Sequence, residues 1–511
     1  MSTMAPSATT STPPTTSTSI PDVCLVLEGT YPYVTGGVSN WAHDLIKAQS
    51  HLTFHLVALV PPGPEGPLRF TVPDNVIGIT RVELQTIPAG TAGPRDLARI
   101  VASLEEPLLR LSTKGGLDDV RAVSAILRQA GPGIGREALL NSREAWELLL
   151  RMYERQCPRV SFLDYFWTWR TLLLGICSVL LAPLVPARVY HALCTGYAGL
   201  YATRARLETG RPALLTEHGI YTNERRVEIT MADWLQQDSL QTLSIDQLQR
   251  DLRDLWIDTF TSFSRAAYAA SSKVITLYEG NTLLQLQDGA DPAQLMVIPN
   301  GIDIFETTLR ARNEKAPIVA LIGRVVPIKD IKTFLRAAAI LRDYIPDVRV
   351  WILGPLDEDP DYVDECRQLA AHLDLEGTVE FKGRVALKDY YPLIDVLVLT
   401  SVSEAQPLVI LEGGAVGVPA VATDVGSCRE MIYGRSDEQP PLGEAGVVTP
   451  LANPAATADA LRRLLTDGEF YDRCSRTVQE RVRQYYNKSS LDRAYRDIYQ
   501  AHIEMDALVE V

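Results

Sequence analysis

The chain has 511 residues, too many for one compact core, so we expect at least two large domains. Its composition, 46% hydrophobic and 22% charged, is that of an ordinary globular protein. A formal net charge of −14 argues against nucleic-acid binding, which needs a basic face, but a few converging cations could still bind a small phosphorylated ligand.

Residues 1–20 are rich in Ser, Thr and Pro, and this composition predicts a disordered tail. The tail lacks the basic start and the apolar segment of a secretory signal, so we expect a cytoplasmic protein. The seven cysteines are scattered without metal-ligand spacing, which predicts buried thiols in a reducing compartment.

The most apolar stretch, residues 172–186, has 15 residues, fewer than the ~20 that a membrane-spanning helix needs. It therefore predicts a buried helix. The aromatic segment FLDYFWTWR comes shortly before it and leaves open a contact with a membrane-embedded synthase or export partner. Through such a partner the protein would be peripheral at the inner membrane.

In chain order, short apolar runs rich in β-branched residues alternate with helical stretches. The first half contains three runs that predict buried strands: VCLVLEG, FHLVALV and ALLTEHG. Near 95–185, Leu residues recur at spacings of three and four, which predicts a helical insertion. The second half contains six further strand candidates: IVALIGR, VRVWILGP, TVEFKGR, DVLVLTS, PAVATDV and AGVVTP.

This alternation predicts an α/β fold with parallel, doubly wound sheets. Turn-forming and charged residues cluster at 299–317, so we place the domain boundary there. We expect two Rossmann-like domains, residues 21–300 and 301–481, that face each other across a cleft, and a C-terminal helix, residues 482–511, that crosses back to the first domain. Right-handed crossovers would place functional loops at the carboxyl ends of the strands.

Two adjacent glycines, Gly36 and Gly37, lie between the first predicted strand and a predicted helix, in the segment EGTYPYVTGGVSNW. Because glycine has no side chain, this turn lets the backbone approach a ligand closely. A tight turn that needs a positive φ is the alternative interpretation, and the sequence leaves both open.

Two cations follow the first strand of the second half, in the segment LIGRVVPIKDI. Arg324 and Lys329 would lie at the carboxyl end of that strand, where together they could neutralise a diphosphate. Taken alone, they could equally be surface charges.

Two glutamates follow the strand DVLVLTS in the segment SVSEAQPLVILEGGAVG. Glu404 lies in the loop, and Glu412 comes eight positions later. Pro407 and Leu408 mark the beginning of a helix, whose free backbone N–H groups and positive dipole end would form an anion site. Carboxylates bind hydroxyls better than phosphates, so the pattern indicates a ligand with both groups, such as a nucleotide sugar.

These elements together resemble the retaining GT-B glycosyltransferases of the sucrose-synthase and glycogen-synthase-like group, known as family 4. That group has a Glu-x7-Glu element, an Arg-x4-Lys pair and a Gly-Gly turn. Glu404 and Glu412 match the first, Arg324 and Lys329 the second, and Gly36 and Gly37 the third. The resemblance covers most of residues 22–500.

The chain departs from the group at two places. Val34 stands where many members have Lys, and Ala405, Gln406 and Pro407 stand where the group usually has Gly-Phe-Gly. We therefore do not infer sugar selectivity from the group.

The resemblance implies a role for further residues. His218, at the end of the strand ALLTEHG, matches a histidine that touches the donor sugar, and Arg384 and Val385 match the loop that contacts the nucleotide base. It also implies that Arg324 and Lys329 stabilise the leaving diphosphate, that Glu412 binds the ribose, and that Glu404 lies near the donor sugar.

We expect no metal and no cofactor beyond the sugar donor. The acidic segment from Asp357 to Asp359 contains an Asp-x-Asp, but its context differs from that of a metal-dependent glycosyltransferase, and we interpret it as a solvated loop. The expected partners are a UDP-linked hexose or N-acetylhexosamine and a growing glycan acceptor. A UDP-sugar epimerase and a non-catalytic nucleotide-sugar-binding scaffold are the alternatives.

Overall fold

Two parallel β-sheets, each covered by helices, organise the described parts of the computed structural model, which are residues 20–90, 96–231, 251–304 and 316–509. Almost all of the predicted tail, and the middle of the predicted boundary segment 299–317, lie outside these ranges. The predicted fold class, two Rossmann-like α/β domains, is confirmed.

The first sheet has seven strands in the order β3-β2-β1-β4-β5-β6-β7, and all of the paired strands are parallel. Its strands are β1 (Val23–Glu28), β2 (Phe54–Val60), β3 (Val76–Glu83), β4 (Val189–Ala192), β5 (Ala213–Glu217), β6 (Ser271–Thr276) and β7 (Leu295–Val297).

Ten helices lie between these strands in the described part of the first half. They are α1 (Gly37–Ala48), α2 (Leu97–Leu111), α3 (Leu117–Ala130), α4 (Arg136–Leu139), α5 (Arg143–Gln156), α6 (Phe162–Leu180), α7 (Tyr197–Thr209), α8 (Tyr221–Met231), α9 (Leu252–Ala270) and α10 (Glu279–Gln287). Helices α2 to α6 occupy the region where the Leu spacing predicts an insertion.

The second sheet has six parallel strands in the order β10-β9-β8-β11-β12-β13. They are the six strands predicted from the second half: β8 (Ile318–Ile322), β9 (Arg349–Leu353), β10 (Val379–Gly383), β11 (Val396–Leu399), β12 (Ala420–Thr423) and β13 (Gly446–Thr449).

The helices of the second half alternate with these strands and then continue to the C-terminal end of the described chain. They are α11 (Ile331–Tyr344), α12 (Pro360–His372), α13 (Leu387–Tyr390), α14 (Leu408–Ala415), α15 (Cys428–Tyr433), α16 (Pro454–Thr466), α17 (Gly468–Tyr485) and α18 (Lys488–Val509).

Helix α18 packs on the first sheet although it follows the second domain in sequence. Tyr495 and Tyr499 belong to the same buried cluster as Val23 and Leu25 of β1. The Tyr499 hydroxyl lies 2.6 Å from Nδ1 of His191 in β4, so a polar contact reinforces the apolar one. The last helix therefore ties the two domains together.

Each sheet has a switch point, where the strand order reverses direction. It lies between β1 and β4 in the first sheet and between β8 and β11 in the second. Ligands of open parallel sheets bind beyond the carboxyl ends of the strands at such points. We therefore expect a ligand-binding site at the loops that follow these strands.

The apolar run 172–186 is part of the protein core. Leu172, Ile176 and Val179 of α6 are buried in the main cluster of the first domain, as expected for a buried helix. The aromatic stretch before it is more exposed, since Trp167 retains 58% of its surface. Among the described residues, none of the helices is both long and apolar enough to cross a membrane.

Candidate active site

A cavity of about 500 Å³ lies between the two domains, where both sheets present the carboxyl ends of their strands. Loops after β5, β8 and β11, the beginnings of α1 and α14, and α18 all contribute to its wall. Seven of the predicted site residues line it: Gly37, His218, Arg324, Lys329, Glu404, Pro407 and Leu408.

Lys329 and Glu404 form the polar centre of this wall. Lys329 Nζ makes an ion pair with Glu404 Oε1, and the Ser401 hydroxyl donates to the same oxygen at 2.6 Å. The two charged side chains retain only 19% and 14% of their surface. The Thr400 hydroxyl donates to the carbonyl of Lys329 at 3.0 Å, so the loops after β8 and β11 are bonded to each other.

Arg324 lines the same cavity but points its charge toward the acidic loop. Its Nη1 donates to Glu358 at 2.9 Å, and Arg384 pairs with Asp357 at 3.1 Å. The acidic loop is exposed, as expected for a solvated loop, since Asp357 and Glu358 retain 71% and 39% of their side-chain surface, and its carboxylates pair with two of the predicted site cations. Asp359 accepts from the backbone of Tyr362 and caps α12.

The described residues contain no group of three His, Cys, Asp or Glu side chains that could hold a metal ion. All seven cysteines are free thiols, and six of them are buried.

Two helix starts face the cavity. Helix α1 begins at Gly37 and α14 at Leu408, and no described side chain caps either of them. Their first N–H groups are thus available to an anion, and both helix dipoles place positive charge there. Pro407, expected in the first turn, is the residue just before it.

The glycine turn has open space in front of it. Gly36 has φ 166°, which is extended backbone that any residue can adopt. Neither Gly36 nor Gly37 has the left-handed conformation that favours glycine, so the alternative of a turn that needs a positive φ is wrong. A methyl group on Gly36 or Gly37 would meet none of the described atoms within 4 Å, apart from chain neighbours. This space is what a close approach between backbone and ligand requires.

His218 lies on the first-domain side of the cavity. Its ring packs edge-on against Trp41, with ring centres 4.6 Å apart, and its buried Nε2 has no hydrogen-bond partner among the described residues. Burial lowers the pKa of His218 from 6.5 to about 4. The imidazole is therefore neutral near pH 7 and can exchange a hydrogen bond with a ligand hydroxyl.

Four predicted residues lie outside the lining of this cavity: Gly36, Arg384, Val385 and Glu412. Glu412, on α14, accepts a hydrogen bond from the Tyr391 hydroxyl. Two charged residues close to His218 in sequence also lie away from this cavity. Glu217 is completely buried, and burial raises its pKa to about 7. Arg225 lines a separate cavity.

Two contacts that the sequence does not predict link the domains at the cavity. Gln406 accepts from the Asn300 N–H at 2.7 Å and donates to the Asn300 carbonyl at 3.2 Å. Lys488 of α18 pairs with Asp44 of α1 at 2.5 Å. The departure from Gly-Phe-Gly at Gln406 was the one sequence signal that could have found the first pair.

Comparison with known families divides the chain into two parts. Residues 21–293, more than half of the chain, match the family described as "Domain of unknown function (DUF3492)". Residues 307–481 match the family described as "Glycosyl transferases group 1".

Curated relatives resemble only part of the chain. D-inositol 3-phosphate glycosyltransferase of Kineococcus radiotolerans is 32% identical over 197 residues, which are 35% of this chain and 45% of that protein. The protein of the same name from Corynebacterium glutamicum is 29% identical over 227 residues, 40% of this chain and 52% of that protein. The chain thus spans about half the length of these relatives.

Solved structures resemble nearly the whole fold. HepE of Anabaena, solved in complex with UDP, has a TM-score of 0.55 at 15% sequence identity. The alignment covers 94% of this chain and 99% of the HepE chain. Sucrose-phosphate synthase of Thermosynechococcus elongatus has a TM-score of 0.53 at 17% sequence identity, and its alignment covers 94% of this chain and 99% of that protein. At such identities the likeness shows the fold alone.

Proposed function

The chain belongs to the family described as "Domain of unknown function (DUF3492)" and contains a glycosyl transferases group 1 domain, and from this premise we propose that it is a retaining glycosyltransferase. It would move a sugar from a nucleotide diphosphate sugar to a growing exopolysaccharide. The observation that carries the proposal is the convergence of Lys329, Glu404 and two uncapped helix starts on one interdomain cavity.

The leaving diphosphate would bind at the second-domain wall. The N–H groups at the beginning of α14 and the Lys329 ammonium both favour an anion there, and a partly enclosed cavity strengthens the attraction. Arg324 can add a third contact if it exchanges Glu358 for a phosphate. These groups stabilise charge that grows as the sugar–phosphate bond breaks, which is how electrostatic catalysis lowers a barrier. We expect no metal in this role.

The transferred sugar would lie between Glu404 and His218. A neutral imidazole can bind a sugar hydroxyl, and the carboxylate can stabilise positive charge on the sugar ring. The resemblance to retaining GT-B glycosyltransferases implies same-face displacement, and we propose it for this chain. The acceptor oxygen bonds to the anomeric carbon as the bond to phosphate breaks, and the acceptor proton passes to the leaving phosphate.

We propose UDP as the nucleotide and a hexose or N-acetylhexosamine as the sugar. HepE, a neighbour in fold, was solved with UDP and with UDP-glucose. The segments LEGTYPYVTGGVSNW and LTEHGIYTNERR also resemble PelF, a cytoplasmic glycosyltransferase of Pel exopolysaccharide assembly in biofilms. By that resemblance, membrane-embedded synthase or export proteins would be its partners.

A nucleotide-release assay on the purified chain, with UDP-glucose, UDP-galactose, UDP-N-acetylglucosamine and UDP-N-acetylgalactosamine, tests this function. We expect UDP release that an oligosaccharide acceptor accelerates and that EDTA leaves unchanged. An epimerase would interconvert the sugars without releasing UDP, and a scaffold would bind a donor without turnover. Either result would overturn the proposal.

A further inference from the structure

Two residues in the wall of the interdomain cavity, called the donor cavity below, have a buried polar atom that makes no hydrogen bond. These atoms are Nε2 of His218 and Oδ1 of Asn300, and neither has a partner among the described residues. A buried carbonyl oxygen without a hydrogen bond costs free energy, so it needs an explanation. The proposed mechanism uses His218 but gives Asn300 no role.

Asn300 lies at the same sheet edge as His218. The strands β5, β6 and β7 are neighbours in the first sheet and run parallel. His218 follows β5, Leu277 follows β6 and Asn300 follows β7, and all three residues line the donor cavity. The ends of three adjacent strands thus bring Asn300 to the first-domain wall, on the side where we place the transferred sugar.

The loop that carries Glu404 holds the backbone of Asn300. Gln406 accepts from the Asn300 N–H at 2.7 Å and donates to the Asn300 carbonyl at 3.2 Å. Gln406 is itself buried, with 8% of its surface exposed. The chain departs from Gly-Phe-Gly at this position, so the resemblance to the glycosyltransferase group does not supply this contact.

The chain just after Asn300 is fixed as well, at the beginning of α18. The Ile302 N–H donates to the Tyr486 carbonyl at 2.9 Å, and the Lys488 N–H donates to the Ile302 carbonyl at 3.0 Å. A methyl group on Gly301 would lie 2.8 Å from Cα of Lys488, so the two segments pack closely. Asn300 therefore lies in a preorganised stretch of backbone, and little ordering is lost when a ligand binds there.

The chemistry of the Asn300 oxygen selects the part of the donor that it can bind. An amide oxygen accepts hydrogen bonds and cannot donate them. The oxygens of an ionised diphosphate are also acceptors, so they cannot pair with Oδ1. Hydroxyl groups and an acetamido N–H of the sugar are donors and can. Oδ1 therefore suits the sugar of a nucleotide sugar and not its phosphates.

We propose that Asn300 is a specificity-determining residue of the donor site. Its Oδ1 accepts a hydrogen bond from one hydroxyl or acetamido N–H of the transferred sugar, and Gln406 positions it. This inference rests on the proposed function and deepens it, because it names a residue that reads the sugar. A site built to pair with one sugar group rejects an analogue without that group, since its own buried polar atom is then left unpaired.

Nucleotide-release kinetics with the purified full chain test the proposal. The donors are the one that the chain turns over fastest among UDP-glucose, UDP-galactose, UDP-N-acetylglucosamine and UDP-N-acetylgalactosamine, and the four analogues of it that lack the polar group at C2, C3, C4 or C6. In wild type, kcat/KM should fall roughly 10-fold or more for at least one analogue.

Asn300→Ala should remove this discrimination at one position of the sugar. It should lower kcat/KM for the parent donor roughly 10-fold and should use the analogue that lacks the recognised group as well as it uses the parent. Discrimination at the other positions should persist, and the affinity for UDP, measured by calorimetry, should equal that of wild type. A general defect of folding would instead lower kcat/KM for all five donors alike.

Two further variants complete the test. Gln406→Leu keeps the Asn300 side chain but removes both hydrogen bonds to its backbone, so discrimination at the same position should weaken. Asn141→Ala removes an exposed asparagine outside the cavity lining and should behave as wild type does. Full discrimination in Gln406→Leu would overturn its positioning role.

The outcomes separate this inference from the proposed function. Equal use of the parent donor and all four analogues by wild type overturns the inference without any variant, so the test holds even if Asn300→Ala folds poorly. Unchanged discrimination in a folded Asn300→Ala also overturns it. In both cases UDP release still supports the transferase, whereas no UDP release from any of the four parent donors overturns the proposed function and this inference with it.

Discussion

Lys329 and Glu404 form an ion pair at the switch point of the second sheet, with Lys329 in the loop after β8 and Glu404 in the loop after β11. Each charge is mostly buried, so removal of one leaves the other poorly compensated. The pair also lies beside the uncapped beginning of α14. A diphosphate bound beside Lys329 would therefore lie next to this carboxylate.

Lys329→Ala should weaken UDP binding and slow sugar transfer. Loss of a cation from an enclosed phosphate site costs about 2–4 kcal/mol. Donor titration by calorimetry and steady-state turnover measure the two effects. Lys332→Ala is the matched control, because Lys332 belongs to the same region but pairs with Glu365, and it does not line the cavity. Equal donor affinity in wild type and Lys329→Ala would contradict the assignment.

His218 should stay neutral between pH 5.5 and 8, because burial lowers its pKa to about 4. The unfolded chain binds a proton at this residue below about pH 6.5, whereas the folded chain does not. Its contribution to the free energy of unfolding is therefore complete above pH 6.5 and falls as the pH drops from 6.5 toward 4.

Histidine NMR titration, with His218→Asn to assign the signal, measures the protonation directly. Urea unfolding from pH 7 to pH 5 should show a weaker loss of stability in His218→Asn than in wild type. His51 is exposed, so His51→Asn should lose as much stability as wild type over this pH range. A His218 signal that titrates near pH 6.5 would show that the imidazole is solvated and would contradict the prediction.

Arg481→Met should destabilise the second domain by about 3–5 kcal/mol. Arg481 is 1% exposed and binds Glu438 through two hydrogen bonds of 2.8 and 2.9 Å, so its loss leaves a buried carboxylate without its cation. Arg483→Met, on the same helix, removes an exposed pair with Glu480 and should cost about 0–1 kcal/mol. Urea unfolding measures both, and similar costs would refute the argument.

The sequence predicts the second sheet better than the first for a physical reason. Loops flank all six strands of the second sheet, and most of these strands are continuous apolar runs. In the first sheet, β3 is an edge strand whose first half alternates between half-buried and exposed residues, β4 contains the polar His191, and β7 has only three residues. Short or amphipathic runs of this kind give a weak signal until tertiary pairing selects them.

The same limit applies to the site. Lys329, Glu404 and Leu408 could be expected together because each follows a parallel strand of one sheet. The Asn300–Gln406 and Asp44–Lys488 contacts depend on how the domains and α18 pack, and their partners lie 106 and 444 residues apart in sequence. Local patterns carry no information at such separations.

Glu412→Ala should raise KM for the donor more than it lowers kcat. A residue that grips the unreactive ribose binds ground state and transition state equally, so its loss affects binding. Glu412 lies outside the lining of the donor cavity and accepts from Tyr391, so its variant is also a test of placement. Tyr391→Phe is the control that removes this hydrogen bond but keeps the carboxylate. If Glu412→Ala leaves KM unchanged, the ribose assignment is wrong.

Glu404→Gln should lower kcat while leaving UDP affinity nearly intact. Glu404 lines the cavity, and in the proposed reaction charge would redistribute beside it as the sugar–phosphate bond breaks. A carboxylate there would stabilise a cationic sugar centre better than an amide would. Loss of one such transition-state contact lowers the rate roughly 10²–10³-fold. Glutamine keeps the size of the side chain and can still accept from Ser401, so the loop should retain its shape.

Ser401→Ala is the control, since it removes that hydrogen bond and keeps the charge. It should slow turnover far less than Glu404→Gln does. Calorimetry with UDP, run beside steady-state kinetics, separates the two effects. Normal turnover in Glu404→Gln, or a loss confined to donor affinity, would make Glu404 a binding residue and would remove the mechanistic distinction between the two glutamates.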